Sequence, residues 1–179
     1  MNKLLLFLTA AAALFSACGK DDPDPVDRLP PATQTGANTF GCLVNGQPWT
    51  PKGNNGFSNY SVAYDTAPAG GGVLDVRAYR YTGTGANDYE YMILFANQLT
   101  GPGLFNFIDS QRTQASFENQ RTRCYWSNDD RTTTYRRGQL NITRLDLQAG
   151  IVSGTFSFTL YKPGCDSIRV TDGRFDRKL

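Results

Sequence analysis

From Thr39 to the end of the chain, apolar and polar positions alternate with the two-residue period of a half-buried strand. In GTFSFTLY, Phe156, Phe158 and Leu160 share one face; Thr155, Ser157, Thr159 and Tyr161 share the other. YEYMILFANQL is apolar at both parities around Met92 to Ala96, which predicts a central strand covered on both faces. GGVLDVRAYRY precedes it across the polar stretch TGTGAND, a predicted hairpin. GQLNITRLDLQAGIVSGTFSF predicts another, turning at Gln148, Ala149 and Gly150. Its apolar parity shifts from Leu140 and Ile142 to Leu145 and Leu147, which calls for a bulge near Thr143-Arg144. TRCYWSNDDRTTTYRR reads as a third hairpin, turning at Asn128, Asp129 and Asp130, and DSIRVTDGRFDRKL as a closing strand.

No window carries a helical period. About ten or eleven short strands with frequent turns predict an all-β fold. The expected architecture is a single antiparallel β-sandwich over residues 39–179; a lipocalin-like barrel also satisfies one buried face per strand.

The start of the chain follows other rules. Leu4 to Ala17 is apolar and spans 14 residues behind Lys3. A spanning helix needs roughly 20; a signal-peptide core does not. The run ends Phe15-Ser16-Ala17-Cys18. Small residues before a cysteine resemble the lipobox of bacterial lipoproteins, with Phe15 where leucine is usual. The resemblance implies a signal peptide over 1–17, acylation of Cys18, and membrane attachment through that lipid. Gly19 to Asn38 holds four Asp and four Pro and almost no large apolar side chain. Residues 18–38 are therefore expected to be a flexible acidic, Pro-rich tether. Lys20, Asp21 and Asp22 resemble the surface-export signal of Bacteroidota lipoproteins, and Gly19 fits outer-membrane sorting. The expected address is the outer membrane, facing the exterior.

Composition narrows the chemistry. The chain of 179 residues has no histidine and a formal charge of +2. Ser-His-Asp and Cys-His catalysis and His-ligated zinc are excluded. Glu90 and Glu118 are the only glutamates, and no P-loop, GxGxxG or GxSxG is present. No enzyme activity, cofactor or nucleic-acid partner is expected. With Cys18 acylated, Cys42, Cys124 and Cys165 allow one disulfide; Cys124–Cys165 closes the shorter loop. Asn128, Asp129, Asp130, Asp172 and Asp176 carry oxygens but lack calcium-loop spacing, so they are read as turn residues and no metal site is expected.

FGCLVNGQPWTPKG near the start and LNITRLDLQAGIVSGTFSFTLYKPGCDSIRVTDGRFDRKL at the end resemble a family of Bacteroidota lipoproteins with a domain of unknown function. That resemblance implies no catalytic residue. The motifs themselves read as folding signatures. Asn45-Gly46 suits a tight hairpin turn, Trp49 a buried anchor, and the glycines of SGTF and DGRF a close backbone approach.

One cluster has the composition of a ligand site: Arg121, Arg123, Arg131, Arg136 and Arg137 among Tyr125, Trp126 and Tyr135. If one hairpin carries them, Cys124 and Trp126 face the core, while Arg123 and Tyr125 face water. Arg121, Arg123, Tyr125, Arg136 and Arg137 would then suit an anionic glycan. A charged edge protected against strand pairing has the same composition. The expected function is thus a non-catalytic binding or accessory module for glycan or another extracellular polymer. The other open reading is a structural or protein-interaction lipoprotein of the outer membrane.

Overall fold

The computed structural model describes residues 23–66 and 70–179. The expected signal peptide (residues 1–17), Cys18, Lys20, Asp21 and Asp22 lie outside the described residues. Eleven strands are found among the described ones: β1 (Thr39–Val44), β2 (Gln47–Trp49), β3 (Tyr60–Asp65), β4 (Gly72–Tyr81), β5 (Tyr89–Leu99), β6 (Gly103–Asn106), β7 (Thr113–Asn119), β8 (Cys124–Ser127), β9 (Tyr135–Asp146), β10 (Ile151–Lys162) and β11 (Asp166–Lys178). They form two antiparallel sheets, ordered β2-β1-β11-β10-β9-β6 and β3-β4-β5-β7-β8. The fold is the expected sandwich, with no closed barrel.

The alternation places the core. Leu74, Val76, Met92, Leu94 and Phe117 point inward from the five-stranded sheet; Phe40, Leu140, Phe156, Phe158, Leu160 and Val170 meet them from the other. Aromatic rings carry the contact across the gap, with Phe40 against Tyr60 at 5.4 Å and Trp49 against Phe117 at 6.4 Å between centroids. Trp49 is 1% exposed, and Asn45 (φ 49°) and Gly46 (φ 80°) make the turn that returns it to β1. The expected bulge is present: Ser153 pairs with Arg144 and Gly154 with Ile142, which leaves Thr143 unpaired.

The two glycine motifs interlock. Gly154 lies opposite Phe175, and Phe156 opposite Gly173. A Cβ on Gly173 would sit 2.5 Å from the Phe156 ring, and one on Gly154 would sit 2.7 Å from the Phe175 ring. Each glycine thus makes room for the partner motif's ring. Gly173→Ala is expected to destabilise the domain by about 1–3 kcal/mol through overpacking. Denaturant unfolding measures this, and adding Phe156→Leu should recover part of the loss. An unchanged midpoint for Gly173→Ala would contradict the interlock.

Three expectations are corrected. β5 is central, but Ile93 and Phe95 on its outer face are only half-buried, because no further layer covers that sheet. The third hairpin does not form: β8 pairs with β7, and β9 with β10 and β6. The segment between them crosses from one sheet to the other around Asn128, which is fully buried. Its amide donates to the Phe107 and Thr113 carbonyls (2.8 and 2.9 Å) and accepts from Ala115 N–H (2.9 Å). Finally, residues 29–38 are not free tether. Leu29 is buried, and the segment that follows is bonded onto the carboxylate of Asp176.

That carboxylate is 1% exposed. Its Oδ2 accepts from Thr33 Oγ1 (2.6 Å), Thr35 N–H (2.9 Å) and Ala37 N–H (3.0 Å). Its Oδ1 accepts from Gly36 N–H (2.8 Å) and Ser153 Oγ (2.7 Å). Polar tether residues that could bury little apolar surface are ordered here by hydrogen bonds to one charge.

Candidate functional site

The structure does not bring the arginine-aromatic cluster onto one hairpin. Trp126 is buried beside Cys124, as alternation predicts, and its Nε1 donates to the Asp166 carbonyl at 2.9 Å. Arg121 and Arg123 lie exposed in the turn before β8, and Arg123 has φ 57°. Tyr125 is exposed, with Lys162 Nζ 6.0 Å from its ring. Arg136 is committed to structure: its Nη2 donates to the Thr133 and Asp130 carbonyls. Arg137 stands on the outer face of the other sheet, opposite Thr159. The expected disulfide, Cys124–Cys165, is present, and Cys42 is free and buried. Burial pushes the Cys42 thiol well above its ordinary range, which leaves it inert.

The acidic residues stay apart. Asp130 receives the Thr132 backbone N–H, the Lys162 ammonium and the Thr132 hydroxyl, which hold its carboxyl at about 2. No three metal-ligating side chains converge among the described residues.

An open groove of about 680 Å³ runs along one end of the sandwich beside the disulfide. Its inner carboxylate is already paired. Glu90 accepts from Trp49 Nε1 (2.7 Å) and Asn119 Nδ2 (3.2 Å) and lies 3.5 Å from Arg80.

A different pocket, about 360 Å³, is built from uncommitted aromatic surface on the outer face of the five-stranded sheet. The β4–β5 hairpin sets Tyr79 opposite Tyr91 and Tyr81 opposite Tyr89. Because cross-strand partners share a face, the four phenol rings form one block. Glu118 on β7 is opposite Tyr91 and closes the lining on one side. The loop between β2 and β3 closes the other with Asn55. Tyr79 Oη lies 2.8 Å from both Asn55 Oδ1 and the Phe57 carbonyl, which pins the loop to the pocket floor. Gly53 (φ 92°) packs its bare Cα on the Tyr81 ring; a Cβ would come within 2.7 Å. Phe57 at the loop tip is 80% exposed.

The rings meet at angles. Tyr79 and Tyr81 are 5.8 Å apart with planes at 86°, and Tyr81 and Tyr89 are 5.9 Å apart at 56°. Burial, then Glu118 and the phenols of Tyr81 and Tyr91, raise the Tyr89 phenol above its ordinary range. Sequence reading missed this site because β5 reads as a doubly covered strand. The signal was the parity of AYRYTGTGANDYEY, which puts all four tyrosines on one side of a hairpin.

A two-sheet antiparallel sandwich with a tyrosine-lined pocket on one outer face is the class of protein that this fold and site define. A protein-family model described as a domain of unknown function (DUF6252) matches residues 76–177, and the chain belongs to that family. The match covers the four pocket tyrosines and Glu118, but not the loop that supplies Asn55. No curated protein and no solved structure matches the chain.

Proposed function

We propose that this chain is a non-catalytic binding module of a Bacteroidota cell surface, taking a glycan or another extracellular polymer in the tyrosine pocket. The observation that carries the reading is the block of Tyr79, Tyr81, Tyr89 and Tyr91: the Asn55 loop buries Tyr79, while Tyr81, Tyr89 and Tyr91 keep exposed ring surface. Large aromatic rings held by a rigid strand pair cost little entropy when a ligand binds. The angled pocket and its polar rim of Asn55 and Glu118 supply shape and hydrogen bonding. The arginines contribute at most at a distance.

The lipobox-like ending at Cys18 supports attachment to the outer membrane, and Lys20-Asp21-Asp22 supports display outside the cell. With two or more acyl chains the attachment would be stable. Only five peptide steps separate Cys18 from Pro23, a reach of at most about 18 Å. The domain would therefore ride close to its membrane, and weak binding per copy would gain from many copies on one surface. Intact mass of detergent-extracted protein should begin at Cys18 with added acyl mass. Unchanged membrane retention of Cys18→Ala protein would refute the anchor.

The binding reading is tested on a glycan array with the mature chain beside Tyr81→Ala and Tyr89→Ala. Each variant should lose roughly tenfold or more in affinity while keeping its unfolding midpoint, since anchoring aromatics dominate such interfaces. Equal binding by wild type and both variants would remove the pocket from the account.

A further inference from the structure

We propose that the tyrosine pocket is a cage for a positively charged nitrogen, so that the ligand is an amine- or ammonium-bearing saccharide rather than a neutral or acidic one. This rests on the reading of the pocket as the binding site.

Two features point the same way. The first is ring geometry. Flat stacking of a sugar wants an open, coplanar ring face. Here the planes turn by 86° and 56° between neighbours at 5.8 and 5.9 Å. Such rings enclose a corner, which fits a compact group that touches several π faces at once. The faces of phenol rings are electronegative, so the group best served there is a cation.

The second is charge. Glu118 is the one ionisable carboxylate of the lining, and no Lys or Arg joins it. Its Oε1 accepts from the Gln120 side-chain amide, and it takes part in none of the ion pairs found among the described residues. Arg77 on the same outer face is forked onto Asp75 at 2.7 Å and also hydrogen-bonds the Tyr91 phenol at the pocket's edge. A carboxylate beside four phenols, itself in no ion pair and with Arg77 shared between Asp75 and Tyr91, leaves the pocket electronegative. The raised phenol of Tyr89 reflects that potential together with burial.

The pocket's volume of about 360 Å³ is larger than an ammonium group alone and leaves room for a sugar ring to carry it.

The experiment compares chitosan oligosaccharides, whose amines are free, with the fully N-acetylated oligosaccharides of equal length. Calorimetry on the detergent-purified mature chain is run at a pH where the amines are protonated. The free-amine ligand should bind on the order of tenfold tighter, and tetramethylammonium should compete with it. Glu118→Gln should erase most of the preference, and its fold is checked by its unfolding midpoint. Tyr89→Phe should keep the preference, because the ring face and not the hydroxyl holds the cation, whereas Tyr89→Ala should lose it. Equal affinity for the two oligosaccharides, or a preference for the acetylated one, overturns the cage and leaves the binding module standing. Binding of neither oligosaccharide nor tetramethylammonium overturns both.

Discussion

Asp176→Ala is expected to destabilise the domain by roughly 3–5 kcal/mol, a large share of the stability of a domain this size. Five donors converge on this carboxylate within 3.0 Å, three of them backbone N–H groups of residues 35–37. Removing the acceptor leaves buried donors with nothing to bind, at about 1–3 kcal/mol for each one that water cannot reach. Asp176→Asn keeps two acceptor lone pairs and should lose less. The same variants should release residues 29–38, so that limited proteolysis cuts there well before the sandwich. Urea unfolding with a proteolysis time course checks both; native-like midpoints would contradict the role. pH reports the same interaction. Burial alone would push the carboxyl up, but the Ala37, Thr33, Ser153 and Gly36 donors outweigh it and hold the group well below the usual carboxylate range. A group depressed on folding adds stability that is complete above its unfolded value, near 3.8. That stability drains away as pH falls below 3.8 toward the folded value. Wild type should lose stability steeply on acidification below pH 4, and Asp176→Asn should lose distinctly less.

Loss of the Cys124–Cys165 bond should cost about 2–4 kcal/mol, or about 5–15 °C in midpoint. The bond closes a sequence separation of 41 residues. It ties the end of β8, on the edge of one sheet, to the turn between β10 and β11 in the other. β8 has only four residues and one neighbour in its sheet, so the covalent link supplies what a short edge strand lacks. Cys124→Ala/Cys165→Ala protein should therefore melt lower, and its first region to exchange amide protons should be β8 with the segment to Thr133. Binding at the tyrosines should survive, since β4 and β5 do not pair with β8. Equal melting of wild type and the double variant would contradict this.

How legible all of this was in the sequence differs from element to element. Strict alternation in β10, the parity shift at Thr143 and the small-residue motifs were readable because each is a local constraint on one strand or one turn. Partner choice was less so. NDDRTTT between β8 and β9 reads as a hairpin turn, but its seven residues are long for one, and a buried Asn128 amide uses that length to change sheets. Nothing local marks a buried asparagine. Asp176 reads as a turn or solvent residue, because its partners lie some 140 positions upstream in a stretch whose composition predicts disorder. The pocket was half-legible. Its four tyrosines follow from parity, but their value as a site depends on the outer face of β5 being bare, and Ile93 and Phe95 argue locally for the opposite.

The central claim is that ligand enters the tyrosine corner of the five-stranded sheet. Amide chemical-shift mapping of the mature chain, titrated with the tightest-binding glycan from the array, tests it most directly. The account predicts that the shifted resonances cluster at Tyr79, Tyr81, Tyr89, Tyr91, Glu118 and the Asn55 loop. Shifts centred instead on Arg137 and the outer face of the six-stranded sheet would contradict it.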